Sequence, residues 1–206
     1  MGWEDWIRTV EIEPAIGARD AVALERQVET LLRAGARIIH VNAPPGTAPE
    51  AVAALTQLTQ KYDAIIDLHA EGDNLVEFAI AGADSVTFDA SAVEDVPAAI
   101  DALRSAARGS VGVAFGADFD PEEVATAAAG ADLILCAYES EDATERLRRL
   151  AIKLRPGVAL QVEGDVSYES VLALYNAGAR LLVAGEVIFV REDLPRAYRR
   201  LVQALA

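Results

Sequence analysis

His40 and Asn42 are separated by one residue, and so are Asp67 and His69. In an extended strand that spacing puts both members of each pair on one face. The chain has 2 histidines in all, and both fall in these pairs. Two imidazoles and a carboxylate make a donor set suited to a divalent transition metal. Glu163, which closes a later apolar run, is the carboxylate that would complete the set. Such an ion polarises a carbonyl, and a carboxylate beside it can move a proton on the neighbouring carbon. The competing reading is that each histidine is a strand-end side chain hydrogen-bonded to an adjacent carboxylate, with no ion.

These residues act together only if the chain folds so as to gather them, and a repeat shows how it does. The pattern Ala-Gly-Ala-(Arg/Asp) occurs at residues 34–37, 81–84, 129–132 and 177–180, at intervals of roughly 48 residues. Each copy follows an amphipathic run and precedes a short apolar one, as expected of a glycine helix cap leading into a strand. Further breaks at Lys61-Tyr62-Asp63, Arg108-Gly109-Ser110 and Arg155-Pro156-Gly157 halve the intervals. Strands are predicted at 9–13, 37–42, 64–69, 85–89, 110–115, 133–137, 158–163 and 181–185, rich in Val, Ile and Leu as buried parallel strands are. Between them Leu24, Val28, Leu31 and Leu32 share one helical face, as do Leu147, Leu150, Ala151 and Leu154. Asp120-Pro121-Glu122 has the form of a capped helix start, and Ser91 with Glu94 has capping-box spacing. Eight strands alternating with helices predict one α/β domain over residues 1–206, a closed (β/α)8 TIM barrel. A doubly wound open sheet fits less well, because no glycine-rich phosphate loop follows the first strand.

Composition narrows the partners. With 18 basic and 33 acidic residues in 206, the formal net charge is −15. That argues against nucleic acid and against anionic membrane surfaces. No apolar run is long enough to span a bilayer, and the acidic start Met1-Gly2-Trp3-Glu4-Asp5-Trp6 does not read as a signal peptide. A single Cys136 in an apolar run fits a reducing, cytoplasmic setting. Trp3 and Trp6 are expected to cover the barrel base or to join a subunit contact. The expected partners are a small-molecule substrate and further copies of the chain as a homo-oligomer.

In this barrel the working face is the C-terminal end of the strands. Read in order, the strand ends are Glu13, His40 with Asn42, Asp67 with His69, Asp89, Phe115, Glu139, Glu163 with Asp165, and Glu186. The rim is therefore dominated by carboxylates, with both histidines on neighbouring strands.

Several stretches in their order along the chain carry a resemblance. They are Pro14-Ala15-Ile16, Ile38-Ile39-His40-Val41-Asn42, Asp67-Leu68-His69, Ala81-Gly82-Ala83-Asp84, Gln161-Val162-Glu163-Gly164 and Val183 to Phe189. The chain resembles the ribulose-phosphate 3-epimerase family over nearly its whole length. That resemblance implies a (β/α)8 barrel and a divalent metal (Zn, Fe or Mn) held by His40, Asn42, His69 and Glu163. It also implies that the residues at positions 42 and 163 act as acid and base on opposite faces of a sugar carbon. The family has Asp at both positions. An amide at 42 cannot take up a proton at neutral pH, so one acceptor is missing unless Asp67, Glu71 or Glu13 replaces it. The family's phosphate loops correspond here to Ala137–Asp142, Gly164-Asp165 and Gly185-Glu186, and each carries a carboxylate. Glu13, Gly164, Asp165, Gly185 and Glu186 are the expected substrate-binding residues, with Glu163, Asn42 and Asp67 as the catalytic set. Two functions follow as expectations. One is a metal-dependent isomerase or epimerase of a small sugar or polyol-like substrate, with ordinary phosphate binding lost. The other is a catalytically inactive epimerase-like protein kept for binding or assembly.

Overall fold

The computed structural model describes residues 9–18, 21–72, 75–106, 109–140 and 142–205, without the side chains of 21–24. Trp3, Trp6 and the Leu24 side chain lie outside the described residues. The strands are β1 (Glu11–Gly17), β2 (Ile38–Ala43), β3 (Ile65–Ala70), β4 (Ser85–Asp89), β5 (Ser110–Phe115), β6 (Leu133–Tyr138), β7 (Ala159–Gly164) and β8 (Leu181–Ala184). They pair in sequence order, all parallel, and β8 returns to β1 to close the barrel. The helices are α1 (Ala21–Arg33), α2 (Pro49–Gln60), α3 (Leu75–Ile80), α4 (Val96–Ala106), α5 (Pro121–Ala127), α6 (Ala143–Ala151), α7 (Val171–Asn176), α8 (Glu186–Phe189) and α9 (Leu194–Gln203). Among the described residues no helix is long and apolar enough to cross a membrane.

Sequence and structure agree closely on the strands, with one informative exception. β1 runs to Gly17 rather than ending at Glu13, continuing through Pro14. In the barrel Pro14 is the last β1 residue paired with β8, opposite Ala184, and pairing with β2 takes over at Ala15. The missing N–H therefore falls where one ladder hands over to the next.

The repeat has a structural meaning. Gly35, Gly82 and Gly178 take positive φ of 106°, 108° and 111° after their helices; Gly130 does not. The aspartates of two copies also play matching roles. Asp84 accepts from the Ile66 N–H at 2.8 Å, and Asp132 from the Val111 N–H at 3.1 Å. Each ties the start of its own strand to the backbone of the strand before it. Asp120 caps α5 as expected, accepting from the N–H groups of Glu122 and Glu123. The Ser91–Glu94 capping box does not form, because Ser91 lies in a 3-10 turn and Asp95 accepts from Ala98 N–H at the start of α4 instead. Residues 187–189 belong to a separate one-turn helix, α8, ahead of the last helix.

Alternation along the strands divides two interiors. Outward residues such as Ile39, Val41, Ile66, Leu68, Ile134 and Val162 pack beneath the helices in the main apolar cluster. Cys136 is among them, so its thiol is buried and pushed well above its ordinary pKa by desolvation. Inward residues form stacked layers. The lowest is a separate apolar plug of Ile38, Ile65, Leu133, Ala159 and Leu181. Two residues further along the same strands come His40, Asp67 and Gln161, and two further again Asn42, His69 and Glu163.

Candidate functional site

The middle layer is polar and sealed. Glu13, His40, Asp67, Ser85 and Gln161 are all fully buried. His40 Nδ1–H donates to Asp67 Oδ2 at 2.7 Å. Gln161 Nε2 donates to the same oxygen at 2.6 Å and also to Glu13 Oε2, and the Ser85 hydroxyl donates to Asp67 Oδ1. Burial alone would raise the Asp67 pKa, but the His40, Gln161 and Ser85 contacts outweigh it and hold the carboxyl below its ordinary range. Glu13 is the opposite case. Desolvation first, and then the neighbouring Asp67 charge, push its pKa well up, opposite in direction to the shift at Asp67.

The top layer is half open. Glu163 Oε2 lies 3.9 Å from His40 Nε2 and 3.7 Å from His69 Nδ1. Asn42 Oδ1 lies 3.3 Å from His40 Nε2, and Asp89 Oδ1 lies 3.3 Å from His69 Nε2. The imidazole rings are 6.3 Å apart, tilted by 57°. One ligand atom from each of His40, His69 and Glu163 lies within 4.8 Å of the others. Tetrahedral coordination at zinc–nitrogen distances sets ligand atoms about 3.4 Å apart, so these residues fit a divalent ion with small side-chain adjustments. His40 also has the support such a ligand needs, because Asp67 holds its other nitrogen.

Several sequence expectations change at this level. Glu13, expected at the rim, lies one layer below it, because β1 extends four residues beyond that point. Asp67 is likewise out of reach of the mouth, and its oxygens are already taken by His40, Gln161 and Ser85. Its place in the structure, fully buried and hydrogen-bonded to His40, is that of a group supporting His40 rather than one at the mouth. Asn42, His69 and Glu163 do meet at the mouth. Gly164, Asp165 and Glu186 are exposed and Gly185 half-buried at the ends of β7 and β8. Gly164 takes a φ of 109°, and a side chain there would strike the Tyr138 carbonyl. Gln161 and Ser85 were missed, since single polar residues in apolar runs look incidental. The usable signal was period two: Gln161 shares a face with Glu163, and Ser85 shares one with Asp89.

Burial by itself would lower the His69 pKa. The Asp89 and Glu163 carboxylates outweigh that and push it up to about 10, while His69 in return lowers Glu163. In metal-free protein the raised His69 pKa stabilises the fold fully below pH 6.5, and that contribution is lost as pH rises toward 10. The stability deficit of His69→Gln relative to wild type, read by urea unfolding in chelator, is therefore expected to shrink steadily from pH 6 to pH 10.

Fold and site together define a (β/α)8 barrel with histidines, an amide and carboxylates gathered at the strand C-terminal ends, where barrels of this class house their chemistry. No protein-family model matches the chain. Over 210 residues it is 27% identical to ribulose-phosphate 3-epimerase of Chlamydia trachomatis serovar D, covering 90% of this chain and 88% of that protein. It is 26% identical to ribulose-phosphate 3-epimerase of Chlamydia muridarum, covering 90% of each. The solved structure of 3-hexulose-6-phosphate synthase from Salmonella typhimurium superposes with a TM-score of 0.72 at 20% identity, over 95% of this chain and 98% of that one. The last likeness is one of fold.

Proposed function

We propose that this chain is an epimerase-like, metal-dependent isomerase that moves a proton at the carbon beside a carbonyl of a small sugar or polyol-like substrate. The observation that carries the reading is the convergence of His40, His69 and Glu163 within 4.8 Å, with Asp67 behind His40. His40, His69 and Glu163 would hold the ion, with the Asn42 oxygen as a weak fourth donor. A bound Zn, Fe or Mn ion supplies Lewis-acid polarisation of the substrate carbonyl. Glu163, lowered in pKa and half-open to the mouth, takes the proton from carbon and returns it. Asn42 hydrogen-bonds a substrate hydroxyl and takes no proton. A single carboxylate acting on one face suits a shift of the carbonyl between neighbouring carbons better than inversion. The substrate is read as unphosphorylated because Asp165 and Glu186 stand exposed at the ends of β7 and β8. Two like charges at ~4 Å repel by about 4 kcal/mol at an effective dielectric of 20.

A second reading, a binding or assembly protein without turnover, is favoured by one observation. Asn42 stands where an acid-base carboxylate is needed. Deuterium exchange separates the two. Wild-type protein with Mn, Fe or Zn in D2O is incubated with ribulose 5-phosphate, free pentuloses and free hexoses. The enzyme reading expects deuterium at carbon in at least one free sugar, falling by about 1000-fold or more in Glu163→Gln. Metal binding with no exchange in any sugar would leave the binding-protein reading.

A further inference from the structure

The two histidines present opposite ring nitrogens to the site. His40 faces Glu163 with Nε2 and donates Nδ1–H to Asp67. His69 faces Glu163 with Nδ1, and its Nε2 lies 3.3 Å from Asp89 Oδ1. A neutral imidazole that gives one nitrogen to a metal carries its hydrogen on the other, and the acceptor of that hydrogen sets the tautomer and ring orientation. For His40 that acceptor belongs to the sealed polar layer. For His69 the acceptor comes from a different strand, at the mouth.

The backbone around Asp89 shows why its carboxylate is available. Asp89 is the last residue of β4 and stands at the N-cap of the 3-10 turn Ala90–Ala92, where a carboxylate ordinarily accepts from backbone N–H groups. It makes no such cap hydrogen bond, and its backbone is extended (φ −71°, ψ 128°). The register sets His69 opposite Thr87, two residues before Asp89 on the same inward face of β4. The carboxylate therefore turns to the imidazole rather than to its own turn.

We propose that Asp89 is a positioning residue of the candidate metal centre, holding His69 with Nδ1 toward the ion and Nε2–H on its own carboxylate. This rests on the metal-site reading above. It makes the support of the two histidines symmetrical in chemistry and independent in structure, one carboxylate buried and one at the mouth.

The test uses Zn2+ as probe on the full chain, with affinity read by competition against a chromogenic chelator. Wild type, Asp89→Ala, Asp89→Asn and Asp89→Glu are compared, with circular dichroism confirming the fold of each. With only two histidines in the chain, long-range 15N–1H spectra of the zinc-loaded protein identify the ligating nitrogen of each ring. Zinc affinity is expected to fall about 10- to 100-fold in Asp89→Ala and to recover substantially in Asp89→Glu, with wild-type His69 ligating through Nδ1. Unchanged affinity in both Asp89→Ala and Asp89→Asn while wild type binds zinc, or ligation of His69 through Nε2, overturns the role of Asp89 alone. Absence of zinc binding in wild type overturns the metal-site reading and this role with it.

Discussion

Wild-type protein purified without chelator is expected to carry about one divalent ion per chain, and the His40→Ala, His69→Ala double variant none. Removing both imidazoles leaves Glu163 and the Asn42 amide, too few donors to hold a transition metal against buffer. The effect should be all or nothing in elemental analysis. His69→Gln alone is the sharper probe, because the polar partners of His69 are Asp89 and Glu163 at the mouth. It should weaken zinc more than about 100-fold, beyond what loss of a supporting group costs, while its unfolding midpoint in chelator approaches that of wild type only as pH nears 10. Binding is also expected to release protons at neutral pH, since a His69 whose pKa stands at about 10 must give up its proton to become a ligand. Calorimetry in buffers of different ionisation enthalpy reads that directly. Wild-type protein that binds no zinc after soaking would remove the metal-isomerase reading.

The second large effect is on stability. Asp67→Ala is expected to destabilise the barrel by about 3–5 kcal/mol, measured as a fall in urea midpoint at constant slope. Asp67 is fully buried and accepts hydrogen bonds from His40, Gln161 and Ser85. Removing it strands three donors in the barrel interior, each costing about 1–3 kcal/mol when left unmade. The loss of a negative neighbour partly offsets this, because Asp67 is one reason the Glu13 pKa is raised. Asp67→Asn keeps the shape but turns two N–H groups toward existing donors, so it should cost nearly as much. Because Gln161 bridges Glu13 and Asp67, the Asp67→Ala, Gln161→Leu double variant should lose less than the sum of its parts. Additive losses would show that the buried layer does not act as one network.

The barrel itself was largely legible in the sequence. A glycine cap recurring at roughly 48-residue intervals, apolar runs of strand length and helical faces such as Leu147 with Leu150 place seven strands within a residue or two. Each of those signals is local, set by backbone conformation and side-chain period. The exception is β1, which continues through Pro14 at the point where its pairing passes from β8 to β2, a hand-over no local signal reports. The pairing of His40 with Asn42, and of Asp67 with His69, was likewise readable from a spacing of two.

What the sequence determined by itself is the inventory: two histidines, their faces, an amide at 42 and a carboxylate at 163, in a chain patterned to close into a barrel. What only the tertiary structure decided is depth. Glu13, Asp67 and Glu163 are equivalent as strand carboxylates. Yet one is buried with its pKa pushed well up, one is buried with its pKa held down and one stands at the mouth. The difference comes from strand stagger, which sets how far each position climbs the barrel axis. It comes also from partners contributed by strands distant in sequence, as when Gln161 reaches both Glu13 and Asp67. Desolvation and those partners set the direction in which each pKa moves, and neither exists until the barrel closes.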